Sequence, residues 1–487
     1  MDILLRRRSF WRALSRHAIL ALASVTSFMS SLDVSIVNVA IPAISKTFEA
    51  SFTAIIFIPT VYLLALAIFQ PVFGRMGDRK GMKRVFISGL VVFTIGSFFS
   101  GLSDGVVELL AFRIVQGAGA AAVVATSLAL IINAYSASER GRMVGINLGF
   151  VYGGLAMGPP IGGFLVQLLG WRSIFYVNVP IGVATVALAS VYLVRETASP
   201  SSSEFDLKGT LALAAFLSAG LVLLSGVALG GTTTVLMAIV CIASFVAFVY
   251  LEKHTKFPLL DLDLFTHNRL FAAGNATSLM NYLTSAGTLL LISIYVQLIL
   301  GYSPEEAGLV LLAQPVVMAV TAVAAGDLSD RFSARILSSL GMILRVLAFF
   351  LLSLLGLRSS ELEILLPLML LGAGHALFSS PNTNSVMSSV PASQLGIASG
   401  AMGTIRSTAQ SLGVAVMGGV VAADLPMGAF AALNEGTVVA SGSIGQLYVF
   451  GMQRAFLLAA GISAIGIVTS LVRGKEARSS HNPAESS

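Results

Sequence analysis

"GRMGDRKGMKR", residues 74–84, sets five cations, Arg75, Arg79, Lys80, Lys83 and Arg84, against a single acid, Asp78. It lies between two nearly uncharged apolar runs, "FTAIIFIPTVYLLALAIFQPVF" (52–73) and "VFISGLVVFTIGSFFSGL" (85–102). Each run is long enough to cross a hydrocarbon core of about 30 Å as a helix, so the polar knot reads as a connection at a membrane surface. The rest of the chain has the same character. Of 487 residues, 56% are hydrophobic and 11% charged, with a mean hydropathy of +0.89, a balance foreign to soluble globular proteins. The net charge of +6 sits in short connections, where lipid headgroups and topology account for it better than nucleic acid does. One cysteine, Cys241, lies inside an apolar run and excludes an intrachain disulfide. The basic start "MDILLRRRSFWRALSRH" leads into a long span that contains Asp33 and has no convincing cleavage site, so it reads as an uncleaved first helix.

Working outward, apolar segments fall at 18–41, 52–73, 84–103, 106–134, 141–168, 173–194, 208–228, 234–251, 270–300, 305–325, 335–356, 363–388, 395–423 and 448–472. Their ends carry an uncertainty of about 4 residues. That makes fourteen spans, and charge tests the count, because Lys and Arg accumulate on the cytoplasmic side. With the amino terminus inside, 22 of the 29 basic residues fall in inside segments and only Lys46, Arg172, Arg358 and Arg454 outside. Arg113, Arg345 and Arg406 fall within spans. The expectation is an all-α polytopic membrane protein with both termini cytoplasmic.

The longest polar connections, "RETASPSSSEFDLKG" (195–209) and "EKHTKFPLLDLDLFTHNR" (252–269), divide the chain. They bracket two spans joined by "GGTTT". The predicted organisation is a six-helix bundle over 1–194, linker segments at 195–269 carrying an inserted hairpin (208–251), a second six-helix bundle over 270–472, and a tail at 473–487. "GRMGDR" at 74 recurs as "GDLSDR" at 326, each after the second helix of its half, as expected of an internally duplicated transporter.

Further motifs accompany the knot. Its glycines, acid and cations (Gly74, Asp78, Arg79, Gly81, Lys83, Arg84) fit the pattern Gly-x-x-x-Asp-Arg-x-Gly-x-(Arg/Lys)-(Arg/Lys). Helix 4 holds "RIVQGAGAA", with Arg113, Gln116, Gly117 and Gly119. Helix 5 holds Gly145, Gly154 and "GPPIGG" (158–163). Helix 1 holds "LDVSIVNVAIP" (32–42), helix 6 opens with "WRSIFYVNVPIG", and "YVQLILGYSPEEAG" spans 295–308. Together these resemble the major facilitator superfamily, and within it the fourteen-span drug:proton antiporters of multidrug-efflux type. The resemblance covers essentially the whole chain. It implies two six-helix bundles of major facilitator type plus an inserted two-helix hairpin. It also implies a cytoplasmic latch formed by the knot, and a weaker second copy at Asp330 and Arg331, where Phe332 and Ser333 erode the pattern. It assigns Gly145, Gly154, Gly158, Pro159, Gly162 and Gly163 to an antiporter motif, and ties Arg113 to proton coupling.

The residues carry physical readings of their own. Gly154, Gly158 and Gly162 share one helical face and let a neighbouring backbone come close, while Pro159 and Pro160 introduce a local break. Lys80, Lys83 and Arg84 also satisfy the inside-positive rule by themselves. Asp33 near mid-span costs about 2.5–3.5 kcal/mol on insertion scales and is expected to face a wet interior as the proton site, although a structural hydrogen-bonded acid fits the sequence too. Thr26 and Ser30 share its face; with Gln116, Asn281, Arg406 and Gln410 they form the expected substrate cavity, though packing or headgroup contact is as open for Arg406. Thr277, Ser285 and Thr288 extend the polar stripe around Asn281, whereas His375 and "NTN" (382–384) read as structural.

No nucleotide-binding loop, metal constellation or other cofactor site is evident, and no catalytic group is expected. An ion gradient is then the energy source. The expected function is proton-coupled export of amphipathic or cationic drug-like compounds by alternating access across a prokaryotic plasma membrane. The expected partners are protons, a small amphipathic substrate and the bilayer, not nucleic acid, and the chain is expected to be a monomer. Export of lipids or lipid-linked molecules is the alternative within transport; a non-transporting membrane sensor on the same fold is the alternative outside it.

Overall fold

Inside a bilayer no water is at hand for free amides and carbonyls, so a spanning segment closes its own backbone hydrogen bonds by coiling. The computed structural model has that form: among the described residues every regular element is a helix. It describes residues 2–193, 206–227, 229–255, 258–391, 394–426, 430 and 442–473, without the side chains of 2–15, 137, 138, 327, 330, 395 and 396. The expected linker at 195–205 and tail at 474–487 lie outside the described residues.

The first half comprises α1 (Asp2–Phe48), α2 (Phe52–Lys80), α3 (Met82–Leu102), α4 (Val106–Ala134), α5 (Ala137–Leu169) and the paired α6 (Ser173–Tyr176) and α7 (Asn178–Tyr192). A hairpin follows, α8 (Leu207–Leu224) and α9 (Gly231–His254), then the short α10 (Leu262–His267). The second half comprises α11 (Arg269–Ile294), which ends in a wide π turn at Tyr295–Ile299, α12 (Pro304–Arg331), α13 (Ala334–Leu352), α14 (Glu361–Ser388), α15 (Leu395–Asp424) and α16 (Ser443–Leu471). Among the described residues thirteen helices are long and apolar enough to cross a membrane, and the remaining predicted span, 395–423, coincides with the 30-residue α15. Every predicted span therefore finds a helix.

The polar knot differs from expectation. It is not a loop: α2 runs on through Lys80, α3 begins at Met82, and only Gly81 stands between them. The helix continues into water, and Arg79 and Lys80 in its last turn meet the negative end of its dipole. The reversal then falls on one residue with φ +94°, which a side chain would strain. Helix 5 also departs from expectation, since α5 stays helical through Pro159 and Pro160.

Within the first bundle α1 packs on α5, α3 on α4 and α2 on α4; within the second, α13 packs on α14, α12 on α14 and α11 on α15. The bundles meet along α2 with α15, α5 with α12 and α1 with α11. The hairpin leans on α15 and α2 through α8, while in α9 only Phe248 and Glu252 are buried. Val235, Leu236, Ile239, Ile242 and Val246 of α9 are exposed, an apolar face that suits lipid rather than water.

The close packing of α5 on α1 rests on the glycine row. A methyl group at Gly154 would collide with the Phe28 carbonyl, at Gly158 with the Ser35 hydroxyl, and at Gly162 with Ile36. At Gly145 it would touch nothing within 4 Å, so that member of the motif makes no close approach here. Gly158→Val should therefore destabilise the purified protein by about 1–3 kcal/mol through overpacking. Gly145→Ala should be neutral or stabilise by up to about 1 kcal/mol. Thermal unfolding in detergent checks both, and equal melting temperatures for the two variants would refute the packing assignment.

Candidate ion and substrate site

Asp33 lies on α1 with no exposed surface, held by side chains from α4 and α7. Its Oδ2 accepts a hydrogen bond from Arg113 Nη1 at 2.5 Å. Its Oδ1 accepts from Gln116 Nε2 at 2.8 Å and from Asn178 Nδ2 at 3.0 Å. Arg113 Nη1 also donates to Gln116 Oε1 at 2.6 Å, and the guanidinium lies 4.2 Å from the centre of the Tyr62 ring on α2. Gln116 Nε2 donates on to Ser97 Oγ of α3 at 2.7 Å. The local fold explains these positions. Arg113 and Gln116 are three apart on α4 and share a face. The break at Val177 between α6 and α7 sets Asn178 at the start of α7, beside the acid. Asn178 came from the "WRSIFYVNVPIG" motif, but no role was read for it from sequence.

A cavity between the bundles is a separate feature. It is lined by Ser30, Ser31, Val34, Ser35 and Asn38 of α1, by Tyr152 and Pro159 of α5, and by Tyr282 and Ser285 of α11. Gln314 of α12, His375 of α14, and Arg406, Ser407 and Gln410 of α15 complete its polar wall. Its volume, ≈ 160 Å³, is below the roughly 300–1,000 Å³ of drug-sized sites, so cargo requires the bundles to part further.

The expected cavity residues divide. Ser30, Arg406 and Gln410 line it. Three others do not, each because a neighbour uses its polar group. Thr26 is fully buried, with its hydroxyl on the Leu22 and Ala23 carbonyls and 3.4 Å from Ser127 Oγ. Gln116 is consumed by the Asp33 cluster. Asn281 stands one layer back, its amide 3.2 Å from His375 Nδ1 and its carbonyl accepting from Arg345 Nη2 at 3.0 Å. Asp33 likewise is sealed from the cavity in this conformation rather than open to it. Sequence reasoning placed Arg345 within a span yet assigned it nothing. It took His375 as structural, although the ring lines the cavity. The rule that intramembrane charges mark function would have flagged Arg345.

The knot makes contacts inside its own bundle. Lys83 Nζ donates to the Ser190 carbonyl at 3.1 Å and to that of Leu193, at the carboxyl end of α7. Asp78, Arg79, Lys80 and Arg84 are exposed, and Asp78 has no ion pair among the described residues. At Gly74 a methyl would meet nothing within 4 Å. Arg331 is exposed, and the side chain of Asp330 lies outside the described residues.

At the opposite face the bundles are shut. Ser293 Oγ donates to the Asn38 carbonyl at 2.8 Å, and Gln297 Nε2 to that of Val39 at 3.1 Å. Beside them the backbones come so close that a methyl at Gly163 of α5 would collide with the Pro304 carbonyl of α12, and one at Gly308 of α12 with that of Pro159. A capping box fixes the start of α12: Ser303 accepts from Glu306 N at 3.2 Å, and Glu306 Oε2 accepts from Ser303 N at 2.8 Å, with Pro304 in the first turn.

Removing one member of the buried pair strands the other. Asp33→Asn should cost about 3–5 kcal/mol by leaving Arg113 uncompensated. The double variant Asp33→Asn/Arg113→Gln should recover part of that loss. Thermal unfolding of the purified proteins checks the order; a single variant as stable as wild type would show that the pair does not hold the bundle.

The comparisons with known proteins agree with this geometry. Residues 23–414 match the Major Facilitator Superfamily. The riboflavin transporter RibZ of Clostridioides difficile is 30% identical over 453 residues, covering 93% of this chain and 96% of that protein. The multidrug resistance protein Stp of Mycobacterium tuberculosis is 35% identical over 400 residues, covering 81% and 74%. A bacterial homolog of the human lysosomal transporter Spinster, solved in an inward-facing, unoccupied conformation, shares the fold at TM-score 0.67 and 17% identity, covering 94% of this chain and 97% of its own. Two bundles of membrane-spanning helices around a central cavity, with a family match over residues 23–414 and a relative 30% identical along nearly the whole chain, place this multi-pass membrane transporter in the major facilitator superfamily.

Proposed function

We propose that the chain is a proton-coupled antiporter of the fourteen-span drug-efflux branch, a monomer that exports amphipathic compounds from the cytoplasm of a prokaryote by alternating access. The observation that carries the reading is the composition of one helix. Within three turns α1 presents Asp33 to Arg113, Ser30, Val34 and Asn38 to the cavity, and the carbonyls of Asn38 and Val39 to the far gate. A proton on Asp33 weakens its hold on α4 and α7, and an uncompensated Arg113 then favours a conformation that admits water. Because the same helix walls the cavity and closes the gate, occupancy of Asp33 and access to cargo are linked mechanically. Each charge crossing contributes about 2.3 kcal/mol per 100 mV, enough to drive the cycle without a nucleotide.

Other features support the reading. The distribution of basic residues supports cytoplasmic termini; the shut gate is then extracellular, and Asp78, without an ion pair among the described residues, belongs to an inward-facing state. In the outward-facing state the knot would close as the latch, with Gly74, Asp78, Arg79, Gly81, Lys83 and Arg84 in that role and Asp330 and Arg331 as its second copy. Gly154, Gly158 and Gly162 serve as the sliding surface for α1, and Pro159 and Gly163 as half of the gate. The two bundles move as units over 1–194 and 270–472, with 195–269 as a peripheral insertion. Stp, named for multidrug resistance, agrees with a drug-like cargo; RibZ, named for riboflavin, shows that relatives also move other small molecules.

In inverted vesicles, a proton gradient should drive accumulation of at least one xanthene dye, fluorescein or rhodamine 123, with dye-induced proton release. Asp33→Asn, compared at equal amounts of folded protein, should abolish gradient dependence. Accumulation that survives in Asp33→Asn removes Asp33 as the ion site, and proton uptake together with dye contradicts antiport.

A further inference from the structure

The cavity carries a charge of one sign. No Asp or Glu is among its lining residues, and Arg406 is the one permanently charged side chain on its described wall. Arg406 has no ion-pair partner among the described residues. His375 lines the same cavity. The Asn281 amide donates to His375 Nδ1, which leaves the ring proton on Nε2, available as a donor.

Arg345 lies directly behind this wall. It is fully buried, and its Nη2 donates to Thr284 Oγ1 at 2.6 Å, to the Asn281 carbonyl at 3.0 Å and to the cavity-lining Ser285 Oγ at 3.1 Å. Its Nε and Nη1 find no acceptor, and no carboxylate answers it among the described residues. The contrast with the other bundle is direct, because Arg113 is neutralised at 2.5 Å by Asp33. A buried cation held only by neutral dipoles is costly and is lowered in energy by any anion that reaches it.

From this geometry we propose that the cargo carries an anionic group, a carboxylate, phenolate, sulfonate or phosphate, seated against Arg406 and His375 with Arg345 as the charge behind them. Its apolar body lies against Leu63 and Leu66 of α2, Val124 of α4, Leu289 of α11 and Val414 of α15. This narrows the cargo of the proposed function, on which it rests for treating the cavity as a cargo site, and of the amphipathic or cationic compounds expected from sequence it sets the cationic ones aside. It also fits the energetics: an anion leaving and a proton entering both move positive charge inward, so an inside-negative potential drives both.

Fluorescein and rhodamine 123 share a xanthene ring and differ in charge, so equilibrium binding to the purified full-length protein by fluorescence anisotropy isolates the sign. Fluorescein should bind at least about tenfold more tightly than rhodamine 123, the scale of one charge-assisted hydrogen bond. Arg406→Gln should erase most of that preference and Arg406→Lys should retain it, with rhodamine 123 binding not weakened by either. Displacement by dihexanoylphosphatidic acid in preference to sodium benzoate would identify the anion as a lipid headgroup, and the reverse as a free organic acid. Equal or weaker binding of fluorescein by the wild type, including no binding of either dye, overturns the proposal without recourse to any variant. Fluorescein preference without gradient-driven accumulation would sink antiport and leave the charge assignment standing; gradient-driven rhodamine 123 accumulation without fluorescein binding would do the reverse.

Discussion

A charge taken into hydrocarbon has to be met by an opposite charge, by oriented dipoles or by water, and the arrangement of this protein follows from how its intramembrane arginines are met. Arg113 is met by Asp33, with Gln116, Asn178 and Ser97 filling the remaining hydrogen-bond positions. Arg345 is met by a carbonyl and two hydroxyls. Arg406 faces the cavity. The halves are therefore alike in fold and unlike in electrostatics. The first holds a neutral, self-satisfied ion pair, and the second holds positive charge with no carboxylate beside it among the described residues. The proposed roles, proton exchange in the first half and charge recognition of cargo in the second, rest on that difference.

The far gate draws on three motifs that are distant in sequence. "LDVSIVNVAIP" supplies the Asn38 and Val39 carbonyls, "YVQLILGYSPEEAG" supplies Gln297, Pro304 and Gly308, and "GPPIGG" supplies Pro159 and Gly163. What these contacts share is backbone. Carbonyl oxygens lie where glycines leave room or accept from short polar side chains. Side chains interlock as well: Phe52 of α2 packs edge-on against Tyr448 of α16, with 6.1 Å between ring centres, and a methyl at Gly418 of α15 would collide with Ile56. The Tyr152 hydroxyl, 3.3 Å from Ser379 Oγ, adds a cross-bundle contact at the cavity wall.

How much of this was legible in the sequence depends on whether the signal is local. Length and hydropathy fixed the spans, because a helix in lipid satisfies its backbone within itself and needs no partner to be recognised. The glycine row of α5 was legible for a similar reason, since a spacing of four puts its members on one face whatever they meet. Hydropathy also misplaced the knot, because apolar character ends where the hydrocarbon does while the helix continues to Lys80. What a polar side chain does inside a bundle was not legible. Thr26, Ser30 and Asp33 lie within two turns of α1, yet Ser30 lines the cavity while Thr26 and Asp33 are sealed by α4. A rotation of a few tens of degrees about the helix axis separates those fates, and only packing against other helices sets it. Likewise the sequence by itself determined that charges would be buried, whereas the tertiary structure decided which are neutralised, because pairing depends on distances between residues such as Asp33 and Arg113 that lie 80 positions apart in the chain.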